Sequence, residues 1–258
     1  MTQYILISLV CLMGACLTLF SGFGLGTILV PVFSLFFPVE LAVVLTAIVH
    51  FLNNLFKLAL LGKHASMEVL IRFGIPSIPA ALLGAWLLSA LSDSGVLYTY
   101  QAFGKTCIIT PLKLTISALM LLFSLFEILP MLKTVSFDKK YLSIGGILSG
   151  FFGGLSGNQG ALRSAFLLRA GLTKESFIAT GVVIACFIDS SRLVIYFKNF
   201  RNQAGAIDFY LLAAATLFAF AGSFLGTRIL KKVTIASVHT MVAVMLILFS
   251  ILIGTGLL

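Results

Sequence analysis

Some apolar segments of this sequence contain charged side chains, which are costly there. Asp189 and Arg192 lie within the apolar span Phe177–Phe197, and Arg163 lies in a short apolar segment before it. A charge in the middle of a membrane costs about 2.5–3.5 kcal/mol on insertion scales, so it normally faces a cavity or a partner. Asp189 and Arg192 are three residues apart, share one helical face and can form an ion pair, which leaves a purely structural role open. Arg163 has no acidic neighbour at helical spacing, which favours a bound anion as its partner.

The corresponding helix of the first half carries a second polar group: His50, Asn53, Asn54 and Lys57. Asn53, Asn54 and Lys57 are predicted to contact the same solute. Lys57 is close enough to the helix end to snorkel to the headgroups, so it ranks below the two arginines. His50 is either a hydrogen-bonded core residue or part of a pH-linked device, and the sequence leaves both open.

Two glycine-rich breaks precede these helices. The first reads Ser21-Gly22-Phe23-Gly24-Leu25-Gly26-Thr27 and the second Gly153-Gly154-Leu155-Ser156-Gly157-Asn158-Gln159-Gly160. Glycine permits positive φ and close backbone approach, and a helix that starts at such a turn presents free N–H groups and a positive dipole end to an anion. Close helix packing is the alternative role of these glycines. The predicted solute contacts in the breaks are Ser21, Gly22, Gly24, Gly26 and Thr27, and Ser156, Gly157, Asn158, Gln159 and Gly160.

The composition places these residues in a membrane protein. Of 258 residues, 60% are apolar and 10% charged, with a mean hydropathy of +1.16. Several apolar stretches reach the roughly 20 residues that cross about 30 Å of hydrocarbon, where the backbone must be helical. The net charge of +9 comes from Lys and Arg between the apolar spans, so it sets orientation and does not indicate nucleic-acid binding. The four cysteines show no paired spacing, and no metal or cofactor is predicted.

An offset of 135 residues aligns polar positions of the two halves, including Asn54 with Asp189 and Lys57 with Arg192. This predicts two homologous repeats, 1–133 and 134–258. Each consists of an apolar helix, a Gly-rich break, a short apolar piece and three longer helices. The predicted fold is an all-α polytopic membrane protein with about 8–10 membrane helices, in which each break is a broken or re-entrant segment lining an interior cavity.

The basic residues between helices indicate how the repeats are oriented. If each half crosses an odd number of times, eleven of them lie on one side and four on the other, a clear positive-inside bias. An even number gives almost no bias. This favours inverted repeats in a bacterial-type cytoplasmic membrane, with the linker Met131–Lys140 in the cytoplasm and both termini outside. The absence of basic residues in Met1–Tyr4 argues against a cleaved signal peptide.

The two breaks, the two-half layout and the length resemble the TauE/SafE family of sulfite and organosulfonate exporters. The resemblance covers the whole chain and depends on the first break, followed by Pro31, and on the second break, each leading into a short apolar segment and a long helix. It implies movement of a small sulfur-containing anion such as sulfite or sulfoacetate. The second break departs from the family's usual glycines followed by proline, since Asn158, Gln159 and Arg163 stand there.

The sequence therefore predicts an anion transporter that is not an enzyme, with membrane lipid around it. A coupled proton or sodium ion and a homo-oligomer are both open. A cation or metal transporter is the alternative, although it would need more acidic or His/Cys ligands than Asp189 in the membrane. A weaker alternative is an intramembrane serine protease, because Gly154-Leu155-Ser156-Gly157 fits a G-x-S-G pattern, with His239 as the distant base.

Overall fold

The computed structural model describes residues 1–21, 24–129, 136–199, 208–229 and 235–258. These ranges hold ten helices and one β-hairpin, β1 (Tyr98–Ala102) and β2 (Lys105–Ile109). The helices in chain order are α1 (Thr2–Ser21), α2 (Leu25–Ser34), α3 (Val39–Leu61), α4 (Met67–Ser92), α5 (Pro111–Ile128), α6 (Leu142–Ser156), α7 (Gly160–Leu167), α8 (Lys174–Asn199), α9 (Phe209–Ile229) and α10 (Ile235–Gly254).

Apolar length accounts for the four longest of these helices. Among the described residues, four stretches are long and apolar enough to cross a membrane: Val39–Leu60, Met67–Ser92, Lys174–Asn199 and Phe209–Gly226. In lipid only a helix satisfies the backbone hydrogen bonds of such a stretch internally. The protein is an all-α polytopic membrane protein, as predicted.

The apolar length of Ile108–Leu132 predicts a single helix, and the structure differs at its start. Ile108 and Ile109 are the end of β2, and the helix begins only at Pro111. The turn between the strands places Phe103 and Gly104 at φ of 52° and 74°, as a two-residue hairpin turn of the right twist requires. Aromatic and β-branched residues on both strands then favour pairing over helix.

Two short helices follow the breaks, as predicted. Helix α2 has 10 residues and α7 has 8, so each is about 12–15 Å long and cannot cross the hydrocarbon alone. Both α2 and α3 start 135 residues before α7 and α8 respectively, the same offset that aligned the polar residues.

Helix α6 packs closely on α4. Three glycines of α6 lie four residues apart, and a side chain at each of them would collide with a backbone carbonyl of α4, in the order Gly146 on Phe73, Gly150 on Ser77 and Gly154 on Ala81. Small residues at this spacing let two helix backbones touch. Gly154 therefore belongs to this helix interface and not to the break, which begins after Ser156, whereas Gly153 faces Ile188 of α8 and Gln159. Along this contact the residue numbers of α6 and α4 increase together, so the two helices run in the same direction.

The first helix of the other half packs in the corresponding way. At the starts of α1 and α9 the Tyr4 hydroxyl donates to Asp208, and further along Gly222 lies against the carbonyl of Leu12. Helix α1 thus runs parallel to α9, as α6 runs parallel to α4. The Tyr4 hydrogen bond, helped by the backbone N–H groups of Leu211 and Tyr210, lowers the pKa of Asp208.

The remaining long helices pair with their counterparts, α3 with α8 and α5 with α10. Ser117 Oγ of α5 donates to the Ser250 carbonyl of α10 at 2.6 Å. The first helix of each half pairs with the fourth helix of the other half: α1 with α9, and α6 with α4. A two-fold relation between the halves would produce this reciprocal pairing. We therefore propose that residues 1–133 and 134–258 are the two repeats.

Candidate functional site

One cluster holds the buried charged side chains of the described residues. At most 9% of each residue is exposed, although each carries a group that water would solvate strongly. Three helices supply them: α3 gives His50 and Lys57, α7 gives Arg163, and α8 gives Asp189 and Arg192. The cluster lies where both short helices begin.

Asp189 is the centre of the cluster. Arg192 Nε donates to its Oδ1 at 3.0 Å, and Arg192 Nη2 lies 2.8 Å from the same oxygen as an ion-pair contact without hydrogen-bond alignment. Across the interface, His50 Nδ1 lies 2.7 Å and Asn54 Nδ2 3.0 Å from Oδ2. The predicted ion pair between Asp189 and Arg192 is confirmed. One carboxylate is therefore surrounded by donors from two helices, which satisfies its charge fully.

Lys57 and Arg163 are a different case, because neither forms an ion pair with a described acidic residue. Lys57 is 6% exposed and lies within electrostatic range of Arg163 and Cys186. Arg163 is 9% exposed, and its contact with Gln159 is a long one, 3.5 Å from Nη1 to Oε1. The snorkelling alternative for Lys57 is wrong, since its side chain ends inside the protein.

The two breaks meet beside this cluster. Gly157 ends α6 with φ +80°, and a Cβ there would lie 2.9 Å from Arg192 Nη1. A Cβ at Gly26 would lie 3.2 Å from the Gly157 carbonyl oxygen, so the backbones of the two breaks are in contact. Gly24 precedes α2 and faces Nε2 of His50.

The expectation of positive φ holds only for part of the breaks. Gly24 has φ −84° and Gly26 lies within α2, so close approach and not conformation explains these two glycines, while Gly160 is the first residue of α7. Gly22 lies outside the described residues, and so does the side chain of Ser21, at whose position α1 ends. Thr27 is buried in the first turn of α2.

Several buried polar side-chain atoms of the described residues have no hydrogen-bond partner within the protein. In or against the breaks these are Thr46 Oγ1, Asn158 Oδ1 and Gln159 Nε2, and the others are Thr18 Oγ1, Asn53 Nδ2 and Arg192 Nη2. Buried polar groups are nearly always satisfied, so such a group of atoms indicates a place where a polar solute or water binds. Asn53 accepts a hydrogen bond from Ser223 Oγ at 2.8 Å, which leaves its amide N–H groups for a further partner.

The structure gives the serine of the G-x-S-G pattern a structural role. Ser156 is buried, and its hydroxyl donates to the Phe152 carbonyl at 3.0 Å, as helix-terminal serines commonly do. The side chain of His239 lies outside the described residues. Within the described ranges, no group of three His, Cys, Asp or Glu residues could hold a metal ion.

Two members of the site escaped the sequence reasoning. Thr46 and Cys186 have ordinary types for apolar helices, and only the packing of α3 on α8 brings them to the cluster. His50 was left open because its partner is 139 residues away. The 135-residue offset could have found it, since the offset pairs Asn54, one turn from His50, with Asp189.

An all-α membrane bundle in which two interrupted helices meet at buried charges has the architecture of a solute transporter. Comparison with known families agrees. The chain belongs to the sulfite exporter TauE/SafE family, whose model matches residues 6–253. The family is one of exporter-type membrane transporters for sulfur-containing anions. No curated protein and no solved structure matches the chain.

Proposed function

We propose that this protein moves a small sulfur-containing anion, such as sulfite, sulfoacetate or a related organosulfonate, across the cytoplasmic membrane. The observation that carries the proposal is the pair Lys57 and Arg163, two buried basic side chains close together with no acidic partner among the described residues. Asp189, the buried carboxylate nearby, is already bound by Arg192, His50 and Asn54.

Charge balance supports an anion as the solute. Three basic side chains against one carboxylate leave the cluster with a net charge of about +2 when His50 is neutral. Uncompensated charges at membrane depth are costly, and a bound anion lowers that cost. The same excess repels metal ions and other cations, so the alternative of a cation transporter has no support in this cluster.

Buried hydrogen-bond donors without a partner suit an anion with several oxygen atoms. The Nδ2 group of Asn53 and the Nε2 group of Gln159 are buried and unpaired. The guanidinium of Arg163 offers two parallel N–H groups to a sulfonate or sulfite, which Lys57 complements as a point charge. Family membership supports sulfur-containing anions over other anions.

Binding and transport of a panel of anions test this proposal. Purified protein is titrated with sulfite, sulfoacetate and sulfate while its thermal stability is followed, and uptake of the labelled anions is measured in proteoliposomes. Arg163→Gln and Lys57→Gln should each weaken binding by about 1.5–3 kcal/mol, the scale of a hydrogen bond to a charged group. The exposed residues Arg169 and Lys63 give matched controls, Arg169→Gln and Lys63→Gln. If Arg163→Gln and Lys57→Gln bind the anions as tightly as the two control variants do, the anion site lies elsewhere.

A further inference from the structure

His50 is the buried ionisable side chain that anion binding does not use directly. It is 2% exposed and packs between α2 and α8. Its Nδ1 atom lies 2.7 Å from Asp189 Oδ2, while its Nε2 atom faces Gly24, where a Cβ would lie 3.2 Å away. Because Asp189 is held as a carboxylate by Arg192, we assign the Nδ1 proton to the bond with Asp189. Nε2 then keeps a lone pair, which faces Gly24 of the first break and has the amide Nδ2 of Asn54 3.4 Å away.

We propose that Nε2 of His50 binds a proton that crosses the membrane together with the anion. This inference rests on the proposed function and assigns its coupling ion. Nε2 accepts a proton from water on one side of the membrane, which gives an imidazolium held by Asp189. On the other side it returns the proton to water, and no other bond changes.

The charges that face His50 explain why proton and anion would bind together. From α8 it meets Asp189 and Arg192, and from its own helix Lys57, which in turn lies within electrostatic range of Arg163 of α7. The first break presents Gly24 to it, and α2 contains no ionisable group. Without an anion, an imidazolium would add a further positive charge to a cluster that already has an excess. A bound anion offsets this excess positive charge, so it raises the affinity of Nε2 for a proton. By thermodynamic linkage, a bound proton raises the affinity for the anion by the same factor.

Asn54 makes the arrangement specific to a proton. Its amide donates to Asp189 Oδ2, and the guanidinium of Arg192 covers Oδ1. The carboxylate therefore has no oxygen free to coordinate a sodium ion, which needs several oxygen ligands. The neighbouring basic residues oppose a metal cation further.

The test uses the full chain in proteoliposomes with labelled sulfoacetate, whose charge is constant near neutral pH. Two quantities are measured: exchange of the anion without a gradient, and net uptake driven by a pH gradient, with a pH-sensitive dye reporting proton movement. The wild type should show uptake raised at least about fivefold by the gradient, with protons moving in the same direction as the anion. A parallel series with labelled sulfite at one fixed outer pH covers the case in which sulfoacetate is not carried.

His50→Gln should lose gradient-driven uptake and proton movement, and the anion exchange that remains should no longer depend on pH. His64→Gln is the control, since His64 is exposed in the turn after α3. Gradient-driven uptake in His50→Gln, or wild-type exchange with no proton movement, would overturn the inference while leaving anion transport intact. Absence of wild-type exchange of both anions would reject the proposed function and the inference with it.

If His50→Gln does not fold, two other measurements decide: the same assays on His50→Asn, and the pH dependence of sulfoacetate-induced thermal stabilisation in the wild type. That stabilisation should increase as the pH falls, and a pH-independent value rejects the proton site.

Discussion

Asn54 and Asp189 are separated by the 135-residue offset between the two halves and hydrogen-bond to each other at 3.0 Å. Positions related by a two-fold axis can touch only where the axis passes between them. The bond therefore places the proposed symmetry axis at the charged cluster, between α3 and α8. Inverted repeats of transporters carry their solute sites at such an interface. The hydrogen bond between Asn54 and Asp189 thus connects the 135-residue offset of the sequence with the position of the charged cluster.

Removing one partner of the ion pair between Asp189 and Arg192 should destabilise the protein. Asp189→Asn leaves Arg192 without its carboxylate and should cost about 3–5 kcal/mol. Arg192→Gln should cost less, because His50 and Asn54 still bind the carboxylate. The double variant should recover part of the loss. Chemical unfolding in detergent measures these differences.

The exposed ion pair between Lys139 and Glu68 provides the control for these single and double variants of Asp189 and Arg192. Its atoms are 2.8 Å apart, but the side chains are 41% and 48% exposed. Lys139→Gln and Glu68→Gln should each change stability by less than about 1 kcal/mol. If the buried pair behaves like this exposed one, then Asp189 and Arg192 are not coupled in the folded protein.

Much of the fold could be predicted because its signals are local. Apolar length gave the long helices, and the starts of the short helices at Leu25 and Gly160 followed from the breaks. The ion pair of Asp189 and Arg192 followed from helical spacing. These are properties of a few neighbouring residues.

Contacts across the bundle could not be read from the sequence. Whether Gly154 lines a cavity or a helix interface depends on which helix packs there, and α4 is some 70 residues away in sequence. The burial of Lys57 depends in the same way on α7 and α8. The β-hairpin was missed because strand residues such as Ile108 are also apolar and adjoin a helical stretch.

Gly157 should tolerate a side chain worse than another glycine with the same backbone conformation. Gly157 has φ +80° and a Cβ would lie 2.9 Å from Arg192 Nη1, whereas Gly171 has φ +75° and open space around it. Gly157→Ala and Gly171→Ala share the cost of positive φ, about 1 kcal/mol. Only Gly157→Ala should also abolish anion uptake in proteoliposomes at equal membrane expression. Equal transport in the two variants would show that Gly157 serves the turn alone.

The direction of the helices supports the predicted inverted topology. Helices α3 and α4 are joined by a short turn and run in opposite directions. Helix α8 runs against α3, since Ser66 bonds to Thr180 and Asn54 to Asp189. Helix α6 runs with α4, so α6 and α8 share one direction and α7 must return between them. Together with α9 and α10 the second half then has five segments, an odd number, and the inverted arrangement predicts the same for the first half.

A reporter fused after Leu258 tests this topology. With an odd number per half, the C-terminus should lie outside the cytoplasm, because only that arrangement collects the basic residues on the cytoplasmic side. An alkaline phosphatase fusion should be active and a green fluorescent fusion dark. A fusion in the linker Met131–Lys140 should give the opposite pattern and serves as the control. An inactive phosphatase after Leu258 would contradict the inverted arrangement.

The reactivity of Cys186 should report the charge of the proposed anion site. Cys186 lies on α8, 7% exposed, within electrostatic range of Lys57 and Arg163. In a variant with Cys11, Cys16 and Cys107 replaced by Ala, an anionic sulfonatoethyl methanethiosulfonate should form a mixed disulfide with the Cys186 thiol and release methanesulfinate. It should react at least about tenfold faster than the cationic trimethylammonium reagent, because a positive cleft concentrates anions.

Sulfoacetate should slow the anionic reagent, since both carry a sulfonate and would occupy the same place. Arg163→Gln should reduce the preference for the anionic reagent, whereas the exposed Arg169→Gln should leave it unchanged. Labelling is measured by the mass increase of the intact protein, and a variant that also carries Cys186→Ala gives the background. A cationic reagent that reacts as fast as the anionic one would contradict a positively charged path to this cluster. Labelling that sulfoacetate leaves unchanged would place the solute away from Cys186.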